Sequence, residues 1–262
     1  MAEQKIQFND GAAYERMTGT WSRLVGEAFL DWLALPRGLR CIDIGCGNGV
    51  FTELFIERCM PLEIEGIDPS PAQLAFARSR PAGRVANFQQ GDAMALPFPD
   101  NRFDAATMAL VIFFVPDPAK GVAEMARVVR PGGTVAGYAW DMMGGGFPWS
   151  PVQAEIRALG HSVIGPPQAD ASRLESLNRL WTDAGLEAVE TRELPVQRNF
   201  SDFDDFWATT LLSSPIAQAI SAMPAAEVEQ VKTRVRAKLP PDAAGRITYG
   251  THANAVRGRV RR

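Results

Sequence analysis

The sequence predicts an α/β fold in which helices cover both faces of a mostly parallel sheet. Short apolar strands alternate with amphipathic helices between residues 21 and 140, which is typical of parallel strands joined by crossover helices. Three glycines fall within five residues in CIDIGCGNG at 41–49, where a predicted strand turns into a predicted helix. Because glycine has no Cβ, such a turn lets a ligand approach the backbone closely.

Hydrophobic periodicity predicts the elements of the first half in order. Apolar residues at helical spacing predict a helix over 21–33, which Pro36 ends. The predicted strands are 39–44, 62–67, 85–90, 103–110 and 134–140, and the helices between them are 50–59, 71–79 and 117–130. We expect Pro131, Gly132 and Gly133 to end the last of these helices. Parallel sheets bind ligands beyond the carboxyl ends of their strands, so the residues that follow each strand are the site candidates.

The pattern changes after residue 140. MMGGGFPWSP at 142–151 is expected to be a loop, and SRLESLNRLWTDAGL at 172–186 a helix with Gly185 as its C-terminal cap. Residues 187–198 and 246–257 are predicted to be extended and to pair as antiparallel neighbours at the sheet edge, with a helical segment, 201–239, between them. No linker divides the chain, which predicts one domain over 1–262.

Composition excludes several function classes. The 262 residues are 46% hydrophobic and 22% charged with a net charge of −3, which indicates a globular chain and gives no general reason to expect nucleic acid or anionic membrane as a partner. The three cysteines form no CxxC pair and there are only two histidines, so nothing supports a metal site. No targeting segment or apolar run of about 18–20 residues is present. We therefore expect a cytoplasmic protein.

Spacing in the glycine turn helps to choose its ligand. A dinucleotide fingerprint places a third small residue three positions after the second glycine. Gly45 and Gly47 fit this pattern, but the third position is Val50. A phosphate-binding loop would end in Gly-Lys-Ser/Thr, which is absent here. Asp68 closes the second strand about 20 residues on, where a carboxylate can accept both ribose hydroxyls of an adenosine. Asp92 follows the third strand.

Four segments resemble motifs of one family. DIGCGNG, EGIDPS, GDAMALPFPDNRFD and VPDPAKGVAEMARVVRPGG occur in this order and resemble the class I S-adenosylmethionine (SAM)-dependent methyltransferases, in their small-molecule, type 11-like branch. The resemblance is strong over 14–140. It implies a Rossmann-like, doubly wound sheet of seven strands, mostly parallel, with an antiparallel last strand. It also implies a cofactor-binding core at 14–140 and substrate-side helices at 141–262, with a helical cap inserted at 201–239.

The resemblance also implies roles for individual residues. Those expected around the methionine part of SAM are Asp43, Gly45, Cys46, Gly47 and Gly49. Those expected at the ribose and adenine are Asp68, Pro69, Ser70, Asp92, Ala93 and Met94. Those expected to line or close over the cofactor are Met108, Leu110 and Tyr14. Simpler roles stay open: a turn cap for Asp43, a helix start for Asp68, a turn residue for Asp92, core packing for Met108 and a helix lead-in for Tyr14.

The acceptor side is predicted from three residues at strand ends, Phe113, Trp140 and Asp141. Many relatives carry histidine near 113–114, where this chain has Phe113 and Phe114, which suggests an apolar acceptor pocket. No convincing general base is found, because His161 and His252 lie outside the predicted ligand-facing loops. Asp141 is the one carboxylate nominated as a polar anchor or base, against the alternative of a loop cap.

The sequence therefore predicts SAM-dependent methyl transfer to a small, partly apolar molecule. Displacement at a sulfonium has a neutral leaving group, so positioning and exclusion of water can supply much of the acceleration. Two other functions stay open: a non-catalytic SAM-binding or regulatory protein, and a nicotinamide-dependent oxidoreductase. The sequence does not determine the acceptor atom or the oligomeric state.

Overall fold

The computed structural model describes residues 19–262, which form a seven-stranded sheet with helices on both faces. The strands are β1 (Arg40–Ile44), β2 (Glu63–Asp68), β3 (Asn87–Gln90), β4 (Phe103–Ala109), β5 (Val129–Trp140), β6 (Glu187–Phe200) and β7 (Ile247–Arg259). Their order across the sheet is β3-β2-β1-β4-β5-β7-β6. β7 is antiparallel to both β5 and β6, while β1 to β5 pair in parallel. The predicted fold class is confirmed.

The helices fall into two groups along the chain. Those of the first half are α1 (Thr20–Leu33), α2 (Val50–Cys59), α3 (Pro71–Ser79) and α4 (Pro118–Val128). Those of the second half are α5 (Ser150–Ala158), α6 (Leu174–Asp183), α7 (Phe203–Leu211), α8 (Ser214–Ser221) and α9 (Ala225–Lys238). Short 3₁₀ turns lie at Pro81–Arg84, Ile112–Phe114 and Ala169–Ser172. No helix in the described range is long and apolar enough to span a membrane.

Two hydrophobic cores flank the sheet. One contains Trp21 and Phe29 from α1 together with Trp149 and Phe206 from the second half of the chain. The other contains Val122 and Met125 from α4 and Leu177 and Trp181 from α6, packed against the opposite face. The amphipathic helices predicted from periodicity therefore bury their apolar faces on the two sides of the strands.

Helix and strand boundaries differ from the prediction at two places. The Pro-Gly-Gly sequence at 131–133 lies inside β5, whose pairing with β4 shifts register between Phe103 and Ala105. A bulge accommodates the proline at this strand end, so helix α4 passes directly into β5. The predicted loop at 142–151 is shorter than expected, because Ser150 and Pro151 begin helix α5, with the proline in its first turn. Gly185 has φ +78° and follows α6, as predicted for a C-terminal cap.

Candidate functional site

A cleft opens where the strand order reverses, between the carboxyl ends of β1 and β4. It encloses about 420 Å³, including open solvent. Its lining residues follow β1, β2, β3 and β4 and are Gly45, Ile67, Pro69, Gly91, Asp92, Ala93, Val111, Phe114, Val115 and Pro116. This is the topological switch point at which open α/β sheets bind ligands.

The glycine turn is held closed by backbone contacts across the sheet. The N–H groups of Gly45 and Cys46 both donate to the Ile67 carbonyl, at 2.7 and 3.0 Å. Gly45 has φ +75°, and a Cβ built on it would lie 2.6 Å from Val111 Cγ1. Gly47 has φ +52°, and a Cβ there would meet nothing closer than the Gly45 carbonyl at 4.0 Å. Gly45 is therefore required for packing, while Gly47 leaves open space beside the cleft.

Asp68 lies between the glycine turn and helix α3. Its Oδ2 accepts the Gly47 N–H at 2.9 Å and its Oδ1 accepts the Ser70 N–H at 2.8 Å. Burial raises the pKa of this carboxyl, and the two backbone hydrogen bonds oppose that shift. Ser70 caps α3 by accepting the Gln73 N–H. Asp68 thus has the helix-start role that the sequence left open and also orients the glycine turn.

The glycine turn also contains two buried polar atoms without a partner. Asp43 is fully buried; its Oδ2 accepts the Thr52 hydroxyl at 2.6 Å, and its Oδ1 has no hydrogen-bond partner. Burial raises the pKa of Asp43 to about 7. The side-chain Nδ2 of Asn48 is likewise buried and unpaired. An unpaired acceptor and an unpaired donor at one turn match the ammonium and carboxylate groups of an amino acid.

The loop after β3 forms the far wall of the cleft. Asp92 Oδ1 accepts the Met94 N–H at 2.8 Å, and the Asp92 carbonyl accepts the Ala95 N–H at 3.0 Å. This is the turn role that the sequence left open for Asp92, and the residue also lines the cleft, next to Ala93. Pro69 lies across from it and accepts a hydrogen bond from Gln90 Nε2 at 3.1 Å.

Three of the predicted cofactor residues are packed in the interior of the protein. Cys46 Sγ is buried in the core that contains Phe88, and burial raises the pKa of its thiol. Gly49 packs on α3, where an added Cβ would lie 3.1 Å from that of Ala77. Met108 is 1% exposed, within the core on the α4 side. Packing therefore explains the residue types at Cys46, Gly49 and Met108. Leu110, with φ +62°, ends β4 and contacts both cores. Tyr14 lies outside the described residues.

Two of the predicted acceptor residues, Phe113 and Trp140, have buried side chains. Phe113 is buried in the core, and Phe114 lines the cleft instead, because the 3₁₀ turn at Ile112–Phe114 rotates the second ring outward. Trp140 is 3% exposed and packs edge-on against Trp21, with ring centroids 6.4 Å apart. It belongs to an aromatic cluster beyond β5.

Asp141 forms the loop cap that the sequence left open. Its Oδ1 accepts the N–H groups of Met143 at 3.2 Å and Gly144 at 2.7 Å. Its Oδ2 lies 3.2 Å from His252 Nε2 on β7. The sequence placed His252 outside the predicted ligand-facing loops, and it lies within β7. Antiparallel pairing sets Trp140 opposite Ala253 and so brings His252 to the edge that carries Asp141. His161 instead contacts Glu227 at 2.6 Å, between α5 and α9.

Sequence reasoning missed several residues that line the cleft, among them Ile67, Gly91 and Val111. Each lies within a few residues of a strand end, so the rule that ligands bind there could have nominated them. In residues 19–262 no group of three or more His, Cys, Asp or Glu side chains is arranged to bind a metal ion.

Comparison with known proteins identifies the family to which the chain belongs. Residues 42–137 match the family model described as a methyltransferase domain. The demethylmenaquinone methyltransferase of Renibacterium salmoninarum is 32% identical over 173 residues, which cover 63% of this chain and 68% of that protein. The chloroplastic 2-methyl-6-phytyl-1,4-hydroquinone methyltransferase 2 of rice is 40% identical over 116 residues, which cover 44% of this chain but only 33% of that one.

The fold comparison agrees with the sequence comparison. The crystal structure of the YcgJ protein from Bacillus subtilis superposes with a TM-score of 0.59 at 20% identity, covering 91% of this chain and 98% of that one. The match at this identity concerns the fold alone. The family model spans the glycine turn, both acidic strand ends and the strand-four loop, and the Renibacterium relative extends the match beyond that core. The chain therefore belongs to the class I SAM-dependent methyltransferases, and S-adenosylmethionine is its cofactor.

Proposed function

We propose that the enzyme transfers the methyl group of SAM to a small acceptor with an apolar body, accelerating the reaction chiefly by positioning and by exclusion of water. One observation carries this proposal: the cleft is lined mostly by apolar residues, and a buried aromatic cluster lies in the core beside the end of β5. We define the aromatic cluster as Trp21, Trp140, Trp149, Phe200, Phe206 and Tyr249. Leu110, next to the cleft residue Val111, packs against the same core.

The cofactor roles of individual residues belong to this proposal. Asp68 would accept the ribose hydroxyls with the lone pairs that its two backbone contacts leave unused. Asp92 and Ala93 would contact the adenine from the far wall. The unpaired atoms of Asp43 and Asn48 would pair with the ammonium and carboxylate of the methionine part. When bound, SAM supplies an electrophilic methyl group on a sulfonium that leaves as a neutral thioether.

The division of the chain is part of the same proposal. Residues 14–140 would form the cofactor-binding core of a single domain over 1–262. Residues 141–262 would close the acceptor side, with the helices at 201–239 as a cap. Phe206 of α7 lies 5.7 Å from Tyr249 of β7, centroid to centroid, so this segment packs directly on the aromatic cluster.

The relatives support an acceptor of low polarity, since the two that are compared above are named for a demethylmenaquinone and a phytyl hydroquinone. If the acceptor atom must lose a proton, the Asp141–His252 pair is the titratable pair that we assign to this edge. Asp141 would orient the imidazole through its Oδ2, because its Oδ1 already accepts the Met143 and Gly144 N–H groups. His252 would then accept the proton.

The experiment has two stages. Calorimetry should show binding of S-adenosylhomocysteine and no binding of NAD, and an acceptor screen with labelled SAM should then favour small apolar acceptors. Trp140→Phe should weaken acceptor use more than binding of S-adenosylhomocysteine. The matched control is Trp181→Phe, in the opposite core, which should change neither. Micromolar binding of NAD, or an equal loss of cofactor and acceptor binding in Trp140→Phe, would contradict the proposal.

A further inference from the structure

The aromatic cluster surrounds buried donors that have no acceptor in the described part of the chain. The indole Nε1 of Trp21, the indole Nε1 of Trp149 and the Nη1 of Arg198 are all buried without a hydrogen-bond partner. Each such group is destabilising when it is desolvated and unpaired. Since all three are N–H donors, the group that would satisfy them is an oxygen acceptor.

The ring contacts connect these donors. Arg198 Cζ lies 4.7 Å from the centroid of the Phe200 ring, and the Trp21 ring lies 6.4 Å from the same centroid. Phe200 is 5.2 Å from Phe206, which is 6.4 Å from Trp149. The unpaired donors therefore belong to one continuous cluster.

Arg198 differs from the other arginines that stack on rings. In the described residues, four further arginines lie over an aromatic ring, and each has a carboxylate partner: Arg80 with Glu53, Arg102 with Glu63, Arg236 with Asp204 and Arg257 with Glu190. Arg198 has no such ion pair. The carboxylate that acts on it most, Asp205, is engaged instead in accepting the N–H and hydroxyl of Ser201.

The lack of an ion pair at Arg198 is unusual because of the position of this residue on β6. Leu194, Val196 and Phe200 alternate with exposed residues and point into the core, and Arg198 occupies the same face of the strand. Burial lowers the pKa of its guanidinium from the ordinary value. A half-buried cation without an anion is destabilising, so an apolar residue would serve the fold better. Within residues 19–262, the guanidinium stacks on Phe200 but has no anionic partner.

The cation also lies at the reacting edge of the sheet. Arg198 is opposite Tyr249 in the β6–β7 register, and the Tyr249 ring lies 5.9 Å from that of Trp21. Trp21 in turn contacts Trp140 at the end of β5, beside the Leu110 end of β4. A row of ring contacts thus runs from the guanidinium to the carboxyl end of β5.

We propose that Arg198 binds a carboxylate of the methyl acceptor, whose apolar ring body lies among the aromatic side chains between Arg198 and the cleft. This inference rests on the proposed function and narrows its substrate class to small carboxylic acids with an apolar body. The planar fork of arginine matches a carboxylate with two parallel hydrogen bonds. A phosphate dianion fits less well, because one guanidinium would leave a second charge unpaired in this partly buried place.

The test compares an acid with its neutral amide on the enzyme saturated with S-adenosylhomocysteine. The probes are 3-phenylpropionate and 3-phenylpropionamide, with indole-3-acetate and its amide as a second pair, and calorimetry measures their affinity. Wild-type enzyme should bind each acid at least about tenfold more tightly than its amide, as expected for a charge-assisted hydrogen-bonded pair. Arg198→Gln should abolish that preference, and Arg198→Lys should keep part of it.

Arg192→Gln is the matched control. Arg192 lies on the same strand and on the same face as Arg198 but is exposed. Its loss should therefore leave the preference for acids unchanged. Without ligand, Arg198→Gln should melt at the same temperature as wild type or higher, since it removes an unpaired cation. A lower melting temperature combined with an unchanged preference for acids would assign Arg198 a structural role only.

Three further results would overturn the inference: equal affinity for acid and amide in the wild type, binding of neither acid, or a preference that survives in Arg198→Gln. The proposed function fails by a different result, because it requires that the wild type binds S-adenosylhomocysteine before any acid is added. The two failures are therefore distinguishable within one experiment.

Discussion

Replacing Asp68 by asparagine tests the proposed contact of this carboxylate with the ribose of the cofactor. Each carboxylate oxygen now accepts one backbone N–H, from Gly47 and from Ser70. Asparagine keeps one acceptor oxygen and turns an NH₂ group toward the other N–H. We expect this to cost ~1–3 kcal/mol of stability without ligand, offset in part because the variant no longer buries a charge.

The loss of cofactor affinity should be larger. Two charge-assisted hydrogen bonds to ribose hydroxyls contribute ~1.5–3 kcal/mol each, so their removal should weaken binding of S-adenosylhomocysteine by roughly a hundredfold or more. Calorimetry measures the affinity, and urea unfolding without ligand measures the stability. Stability and cofactor affinity can be measured independently, because Asp68 accepts the Gly47 and Ser70 N–H groups even without cofactor.

Asp104→Asn is the matched control for this experiment. Asp104 lies at the opposite end of β4, accepts the Arg40 N–H at 2.8 Å and pairs with Arg130. Its loss should lower stability while the affinity for S-adenosylhomocysteine stays within about twofold. If Asp68→Asn binds S-adenosylhomocysteine as tightly as the wild type, the role of Asp68 is confined to the helix start and the reasoning is refuted.

Three further predictions concern the glycine turn and the cleft. Because the pKa of Asp43 is raised to about 7, the folded form retains a proton that the unfolded chain releases, so the free energy of unfolding without ligand should fall by at most ~1.4 kcal/mol per pH unit as pH rises toward 7. Unfolding measured at several pH values should show a smaller dependence of this free energy on pH for Asp43→Asn, and an equal dependence would contradict the assignment. Gly45→Ala should lower both the melting temperature and cofactor affinity, because its Cβ would overlap Val111. Gly47→Ala has open space around its Cβ and should lower cofactor affinity with a smaller effect on the melting temperature, so the same large loss of stability in both variants would disprove this distinction. Treatment with a strong chelator should leave binding of S-adenosylhomocysteine unchanged, since residues 19–262 hold no metal-binding group of side chains, and a loss restored by a divalent ion would disprove it.

Local sequence determined the order and type of most elements. The helices at Val50–Cys59 and Pro71–Ser79 occur at their predicted bounds, because hydrophobic periodicity, caps and prolines act over a few neighbouring residues. The positions of Gly45, Asp68 and Asp92 at strand ends were likewise predictable, since the carboxyl ends of parallel strands meet at one edge. The motifs in this half of the chain also carried the family resemblance.

Only the tertiary structure decided which side chains face the cleft. Phe113 and Phe114 are equivalent in the sequence, but a 3₁₀ turn directs one into the core and the other to the cleft. Cys46 and Met108 were expected beside the cofactor, but their side chains lie in the hydrophobic cores. The direction of a side chain at a strand end depends on the backbone dihedral angles of the turn, which residue type alone leaves undetermined.

Contacts between distant parts of the chain account for the remaining features that local sequence did not predict. His252 meets Asp141 across 111 residues, and Arg198 joins rings from α1 and β7 only because β6 is the edge strand next to β7. The register of an antiparallel pair is set by the packing of both strands on the shared core. The sequence by itself therefore determined the scaffold and its cofactor, through local patterning and motifs. The tertiary structure decided which residues meet at the proposed acceptor side, because long-range pairing that no local pattern encodes brings them together.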